Sequence, residues 1–239
     1  MKTIGLIGGL SWESSLVYYR IVNETVRDRL GGTHSARSVM YTVDFEQIER
    51  HQHAGEWPQA AAILQDAARR LERAGADCLI ICSNTMHRVA DDIQASVRIP
   101  LLHIADPTAE RIRAAGMTRV GLLGTAFTMQ QAFYTRRLQD RHGLDVLVPD
   151  AEDQQTVHRV IYEELIQGRV EPTSKVQYVR IMQALAERGA EGIILGCTEI
   201  MLLVGADDSP VPVFDTTTLH ARAAVDWALG DARTTHHPG

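Results

Sequence analysis

Three cysteines, Cys78, Cys82 and Cys197, are the most reactive side chains in this chain of 239 residues. A free thiol is usually a small buried hydrophobe, and it acts as a nucleophile or base only as the thiolate. A helix N-terminus or a nearby cation favours that form. Cys197 fits such a setting, because it follows Gly196 at the end of the apolar run 192–195 and precedes a turn or helix opening on Thr198 and Glu199. Its pKa is therefore expected to be lowered. Cys78 and Cys82 stand four apart in or beside the apolar run 79–82, on one face of a strand and without partner ligands, so no metal site is expected. Directly after Cys82 comes a second polar run, Ser83-Asn84-Thr85.

The two polar runs occupy equivalent places in an internal repeat. Ile4-Gly5-Leu6-Ile7-Gly8 is similar to Val120-Gly121-Leu122-Leu123-Gly124, at an offset of 116. Ala74-Gly75-Ala76-Asp77, a strand and then Ser83 match Arg188-Gly189-Ala190-Glu191, a strand and then Cys197, at an offset of 114. Ile99-Pro100-Leu101-Leu102 matches Val211-Pro212-Val213-Phe214, at an offset of 112.

Apolar runs that alternate with helix-like periodicity must position these residues. Strands are predicted at 4–7, 38–43, 79–82, 101–104, 120–123, 144–148, 192–195 and 211–214. Helices are predicted at 14–30, 57–75, 85–96, 108–115, 130–142, 156–167, 173–188 and 219–229, with a frayed end at 234–239. Such alternation implies an α/β fold of parallel-type sheets flanked by helices. The repeat makes it two pseudo-symmetric domains, 1–104 with 215–239 and, inserted between them, 105–214. Ligands bind beyond the carboxyl ends of parallel strands. Facing halves would therefore put Ser83 and Cys197 on opposite walls of a cleft between the domains, the expected active site.

Composition removes several function classes. A net charge of −6 with no basic run argues against nucleic acid as a partner. No run approaches the roughly 18 apolar residues of a membrane span. Lys2 leads straight into a strand without a signal peptide, and three unpaired thiols suit a reducing cytoplasm. Gly5, Gly8 and Gly9 do not make the dinucleotide-binding spacing, and no Gly-Lys-Ser or Gly-Lys-Thr exists. His34, His51 and His53 show no ligand spacing, and His236-His237 is read as a flexible tail. Trp12, Tyr18 and Tyr19 are read as packing residues.

The runs Gly8-Gly9-Leu10-Ser11-Trp12-Glu13-Ser14, Ser83-Asn84-Thr85-Met86-His87 and Gly196-Cys197-Thr198-Glu199 resemble the aspartate/glutamate/hydantoin racemase superfamily. The resemblance extends through His103-Ile104-Ala105-Asp106 and Pro212-Val213-Phe214-Asp215, and is closest to the bacterial L-aspartate/glutamate-specific, broad-specificity branch. It implies a homodimeric enzyme that inverts an amino-acid α-carbon without cofactor or metal. In the family, one thiolate takes the α-proton and a thiol on the other side returns one. Here Cys197 keeps one thiol, whereas Ser83 stands where the two-thiol pattern has cysteine. Cys82 lies one position early, and adjacent side chains of an extended strand point to opposite faces.

By this resemblance Cys197 and Ser83 are the catalytic pair, and Cys197 is the stronger base. Without an electron-withdrawing cofactor, hydrogen-bond donors must stabilise the deprotonated α-carbon. Asn84, Thr85 and Thr198 are suited to that, and Ser11 and Thr125, ending the first strand of each half, could do likewise. Leu10 and Gln52 join the substrate-binding set by resemblance. Glu199 either binds the substrate amine or holds its loop. His87 either orients the site or caps and packs, and His103, like Asp215 at a strand end, is a possible second layer. Ile166 stands where some aspartate racemases carry a lysine, which leaves neutral or larger amino acids open as substrates. A one-thiol decarboxylase, a cis–trans isomerase and a non-catalytic amino-acid-binding protein are the competing functions.

Overall fold

The computed structural model describes residues 1–230, so the expected frayed end at 234–239 and His236-His237 lie outside the described residues. Met1–Cys82, Val89–His103 and the described residues from His220 onward form one compact unit. Ser83–Arg88 and Ile104–Leu219 form the other.

The first unit holds β1 (Ile4–Gly8), α1 (Trp12–Leu30), β2 (Ser38–Thr42), α2 (Phe45–His53), α3 (Trp57–Arg73), β3 (Cys78–Ile81) and α4 (Ala90–Ala95). Its parallel strands run in the order β2-β1-β3. Every residue of β1 and β3 is buried, as expected of strands covered on both faces. Ile4, Leu6, Cys78, Ile80 and Cys82 pack with Tyr18, Val22 and Val26 of α1. After β1 the chain turns tightly at Gly9, where a Cβ would lie 2.1 Å from the Val43 carbonyl oxygen and φ is +80°. Only glycine fits there.

The second unit holds α5 (Ala105–Ala114), β4 (Arg119–Gly124), α6 (Ala126–Gln130), α7 (Ala132–His142), β5 (Asp145–Leu147), α8 (Ala151–Glu163), α9 (Pro172–Glu187), β6 (Gly192–Gly196), β7 (Val213–Asp215) and the start of α10 (Thr216–Leu229). Its four parallel strands run β5-β4-β6-β7. Alternate strand residues serve opposite faces: Leu123, Ile193 and Leu195 pack with α8 and α9, whereas Val120, Leu122 and Ile194 pack with α5 and α7. The fold is therefore α/β, with parallel sheets flanked by helices. The two units share one strand order, since Leu101 bridges Leu79 beyond β3 much as β7 pairs with β6.

Several elements differ from expectation. The strand expected at 101–104 is a single bridge, because only Leu79 N–H to Pro100 O and Leu102 N–H to Leu79 O form before the chain turns into α5. The helix expected over 85–96 is a 3₁₀ turn, Thr85–Val89, followed by α4. The helix expected over 130–142 is α7, starting at Ala132, and the short helix α6 before it, set off by extended backbone at Gln131, was not expected. The short polar helix α2, capped by Asp44 and carrying buried Gln52, was missed because only Phe45 and Ile48 mark its apolar side. Tyr18 packs in the core as expected, but Trp12 and Tyr19 do not. With Leu16 they follow helical spacing on the outward face of α1 and are 65%, 51% and 59% exposed.

Candidate active site

The second unit supplies most of the candidate residues. β4 and β6 pair in register up to Gly124 and Gly196. A Cβ on either glycine would lie 2.9 Å from a backbone oxygen of the other strand, so the two strand ends approach closely only without side chains. Thr125 and Cys197 are the next residues along these strands.

Thr125 caps α6, its Oγ1 accepting from Thr128 N–H at 3.3 Å. It also lies 3.0 Å from the hydroxyl of Thr85, with Thr128 Oγ1 completing a buried cluster of three hydroxyls. Asn84, 3% exposed, donates from Nδ2 to Thr216 Oγ1 at 3.0 Å. The Thr216 hydroxyl donates in turn to the carbonyl of Leu195, two residues before Cys197, at 2.8 Å. The spent Thr216 proton fixes the Asn84 amide with its nitrogen toward Thr216. That leaves Asn84 Oδ1 buried without a hydrogen-bond partner. An unsatisfied buried acceptor costs about 1–3 kcal/mol.

Ser83, half-buried, begins this run, and its Oγ accepts weakly from Met86 N–H at 3.4 Å. Cys82 lies in the apolar core of the first unit, and burial drives its thiol far up. Burial likewise pushes Cys78 up to about 12. Neither is a thiolate near neutral pH.

Cys197 is 9% exposed, and its Sγ donates to Glu199 Oε2 at 3.0 Å. The same oxygen accepts from Thr198 Oγ1 at 2.7 Å. Here the lowered pKa expected from sequence is corrected. Burial first, then the charge and hydrogen bond of Glu199, push the Cys197 thiol well above its ordinary value. The helix counted on is only the 3₁₀ turn Ile200–Leu202, too short to supply a useful dipole. Cys197 stands as a thiol with a carboxylate waiting beside it.

His87 is buried and bonded at both ring nitrogens, Nδ1 lying 2.7 Å from Ser83 O and Nε2 accepting from Ile104 N–H at 3.2 Å. Asp215 caps α10 through Thr217 N–H and the Thr218 hydroxyl.

The first unit contains the remaining candidates. Leu10 and Gln52 are buried, as is His103. Among the described residues, Ser11 is the one non-glycine residue of positive φ, at 66°. Its Oγ caps α1 by accepting from Ser14 N–H at 3.3 Å, the same role that Thr125 plays for α6. Positive φ at a serine costs on the order of 1–3 kcal/mol, a strain typical of functional loops.

Sequence reasoning missed Thr128, Thr216 and Thr217, the last with a fully buried Oγ1 that has no hydrogen-bond partner. The run Thr216-Thr217-Thr218 directly after a strand was the available signal for a helix start. Among the described residues no group of three His, Cys, Asp or Glu side chains is placed to hold a metal ion. No helix among them is long and apolar enough to cross a membrane.

The class that this arrangement defines is shown by comparison with known proteins. The model of the Asp/Glu/Hydantoin racemase family matches residues 7–224. The chain belongs to that family, and it is an enzyme of the isomerase class.

Among its relatives, the broad specificity amino-acid racemase RacX of Bacillus subtilis is 29% identical over 168 residues, 69% of this chain and 70% of that one. A candidate Asp/Glu racemase from Yersinia pestis is 53% identical, with a TM-score of 0.90 over 96% of this chain and all of that one. An aspartate racemase homologue from Pyrococcus horikoshii, PH1733, is 38% identical, with a TM-score of 0.83 over 96% and 100%. The glutamate racemase of Francisella tularensis, at 14% identity and a TM-score of 0.67 over 99% and 85%, shares the fold.

Proposed function

We propose that the chain racemises an amino acid of the aspartate/glutamate type by moving protons between its own side chains and the two faces of the α-carbon. Cys197 and Ser83 are the catalytic pair, Cys197 being the base. The single observation that carries this reading is the chain of bonds from Asn84 through Thr216 to Leu195, which ties the run opening on Ser83 to the strand that ends at Cys197.

Glu199 accepts the Cys197 proton, and the thiolate takes the α-proton of the substrate as a new S–H bond. The C–H electron pair stays on the α-carbon and spreads into the substrate carboxylate. The Ser83 hydroxyl delivers a proton to the opposite face and takes one back from water. Glu199 gives up to water the proton it accepted, so both groups begin the next turnover as they started. Asn84 Oδ1 meets its unsatisfied valence on an N–H of the substrate ammonium, and that positive charge lowers the thiol again. Thr85, Thr125 and Thr198 supply hydroxyls, and Leu10, Ser11 and Gln52 complete the substrate-binding set.

A serine hydroxyl is a far poorer base than a thiolate, so the enzyme is asymmetric between enantiomers. No substrate side chain follows from these residues, since Ile166 offers no cation and relatives include a broad-specificity racemase. We also propose a cytoplasmic homodimer. Trp12, Leu16 and Tyr19 make an exposed apolar patch on the outward face of α1, and a two-fold axis sets such a patch against its own copy.

The test is exchange of the α-proton in deuterated water with enantiopure amino acids, read by loss of its NMR signal. Exchange from both enantiomers at unequal rates supports the reading. Turnover of an arylmalonate or of maleate without any exchange replaces it with a decarboxylase or cis–trans isomerase. Binding without exchange or turnover replaces it with an amino-acid sensor.

A further inference from the structure

The ring of His87 is held between two backbone groups of fixed polarity. Ser83 O can only accept a hydrogen bond, and it lies 2.7 Å from Nδ1. Ile104 N–H can only donate, and it points at Nε2 from 3.2 Å. The ring is therefore neutral, with its proton on Nδ1. Ile104 is the N-cap residue of α5, so one imidazole joins the peptide plane of Ser83 to the beginning of that helix.

The Ser83 hydroxyl itself is poorly held, since the bond it accepts from Met86 N–H is at the outer limit of a hydrogen bond at 3.4 Å. The direction of Oγ is thus set chiefly by the backbone that carries it. We propose that His87 is a positioning residue, whose Nδ1–H tautomer clamps the Ser83 carbonyl and so aims the Ser83 hydroxyl at the substrate. The inference rests on the racemase reading above and assigns His87 a part in only one of its two half-reactions, the one that Ser83 performs.

Two amide variants separate the clamp from the cap. His87→Asn puts an N–H donor at the position of Nδ1 and leaves nothing at Nε2. His87→Gln puts an acceptor at the position of Nε2 and leaves no donor for Ser83. His87→Gln is expected to lower α-proton exchange by about 10- to 100-fold from the enantiomer whose α-proton faces Ser83, with exchange from the enantiomer that faces Cys197 much less affected. Its KM should stay within about twofold of wild type. His87→Asn is expected to keep α-proton exchange from both enantiomers within about threefold while losing thermal stability, because only the helix cap is gone. Unchanged exchange in His87→Gln, or an equal loss from both enantiomers, overturns the inference, as does an equal defect in His87→Asn.

A readout independent of turnover is the ¹⁵N spectrum of the ring at neutral pH. A protonated Nδ1 with a bare Nε2 is expected, and the opposite tautomer or an imidazolium overturns the clamp. A wild-type protein that exchanges no α-proton sinks the racemase reading and this inference with it. An active wild type with an unimpaired His87→Gln sinks the inference alone.

Discussion

The thiol of Cys197 donates a 3.0 Å hydrogen bond to Glu199 Oε2, two residues along the chain and itself 3% exposed. The pair stores a proton on sulfur and keeps its acceptor in contact, so the thiolate forms by a short transfer within a buried site. Burial and the Glu199 charge both hold the sulfur protonated. Glu199→Gln removes the charge and leaves the burial. The pH midpoint for alkylation of Cys197 by iodoacetamide, followed by peptide mass spectrometry, is therefore expected to move down. A midpoint that stays or rises would show that Glu199 does not govern the thiol.

Cys197→Ala is expected to abolish α-proton exchange from both enantiomers, a loss of at least about 10³-fold. Ser83→Cys is expected to raise the slower direction and narrow the gap between enantiomers, since a thiol is a better base than a hydroxyl. Exchange in deuterated water measures both. If Ser83→Cys slowed both directions alike, Ser83 would not be the second proton carrier.

Thr216 gives a prediction that sequence motifs alone would not suggest. Thr216→Val severs the link from Asn84 to the Leu195 carbonyl and takes away the acceptor of the Asn84 amide N–H. Stability should fall by about 1–3 kcal/mol, or a Tm loss of several degrees. KM should rise more than kcat falls, because the proposed role of Asn84 is to bind substrate and not to move the α-proton. Calorimetry and initial rates check both, and a Tm loss with unchanged KM would confine Thr216 to folding.

Asp106 of α5 takes two bonds from Arg137 of α7, of 2.7 and 2.6 Å, and lies 3.1 Å from His142 Nε2. Burial opposes its ionisation, but the Arg137 guanidinium, with His142, holds the carboxyl below its ordinary value. A depressed carboxyl stabilises the fold above its unfolded value, about 3.9. The contribution fades as pH falls through the lower folded value. Arg137→Ala should thus lower Tm at pH 7 by roughly 5–10 °C. The gap to wild type should shrink below about pH 4. A gap independent of pH would assign the loss to packing alone.

If α1 joins two copies, Leu16→Glu should shift the protein toward monomer in sedimentation at micromolar concentration, with the fold intact by circular dichroism. An unaltered sedimentation coefficient would clear this helix of the role.

Chain order and covalent neighbours carried much of this protein into view. The fully apolar runs of β1, β3 and β6 are readable because strands buried on both faces must be apolar throughout. The offset repeat was readable because the first strand of each half ends on a glycine, Gly8 and Gly124. Gly196-Cys197-Thr198-Glu199 announces a thiol beside a carboxylate, since those atoms are two residues apart at most.

Only the tertiary structure decided what those groups do to one another. Whether a thiol is raised or lowered depends on burial and on the side of the backbone a carboxylate takes, and sequence predicted the wrong sign for Cys197. That Thr216 holds Asn84 over a separation of 132 residues, or that His87 meets Ile104, is a matter of packing at the ends of parallel strands. Local sequence sets which hydrogen-bonding groups exist, but the folded backbone sets which of them are within 3 Å of each other.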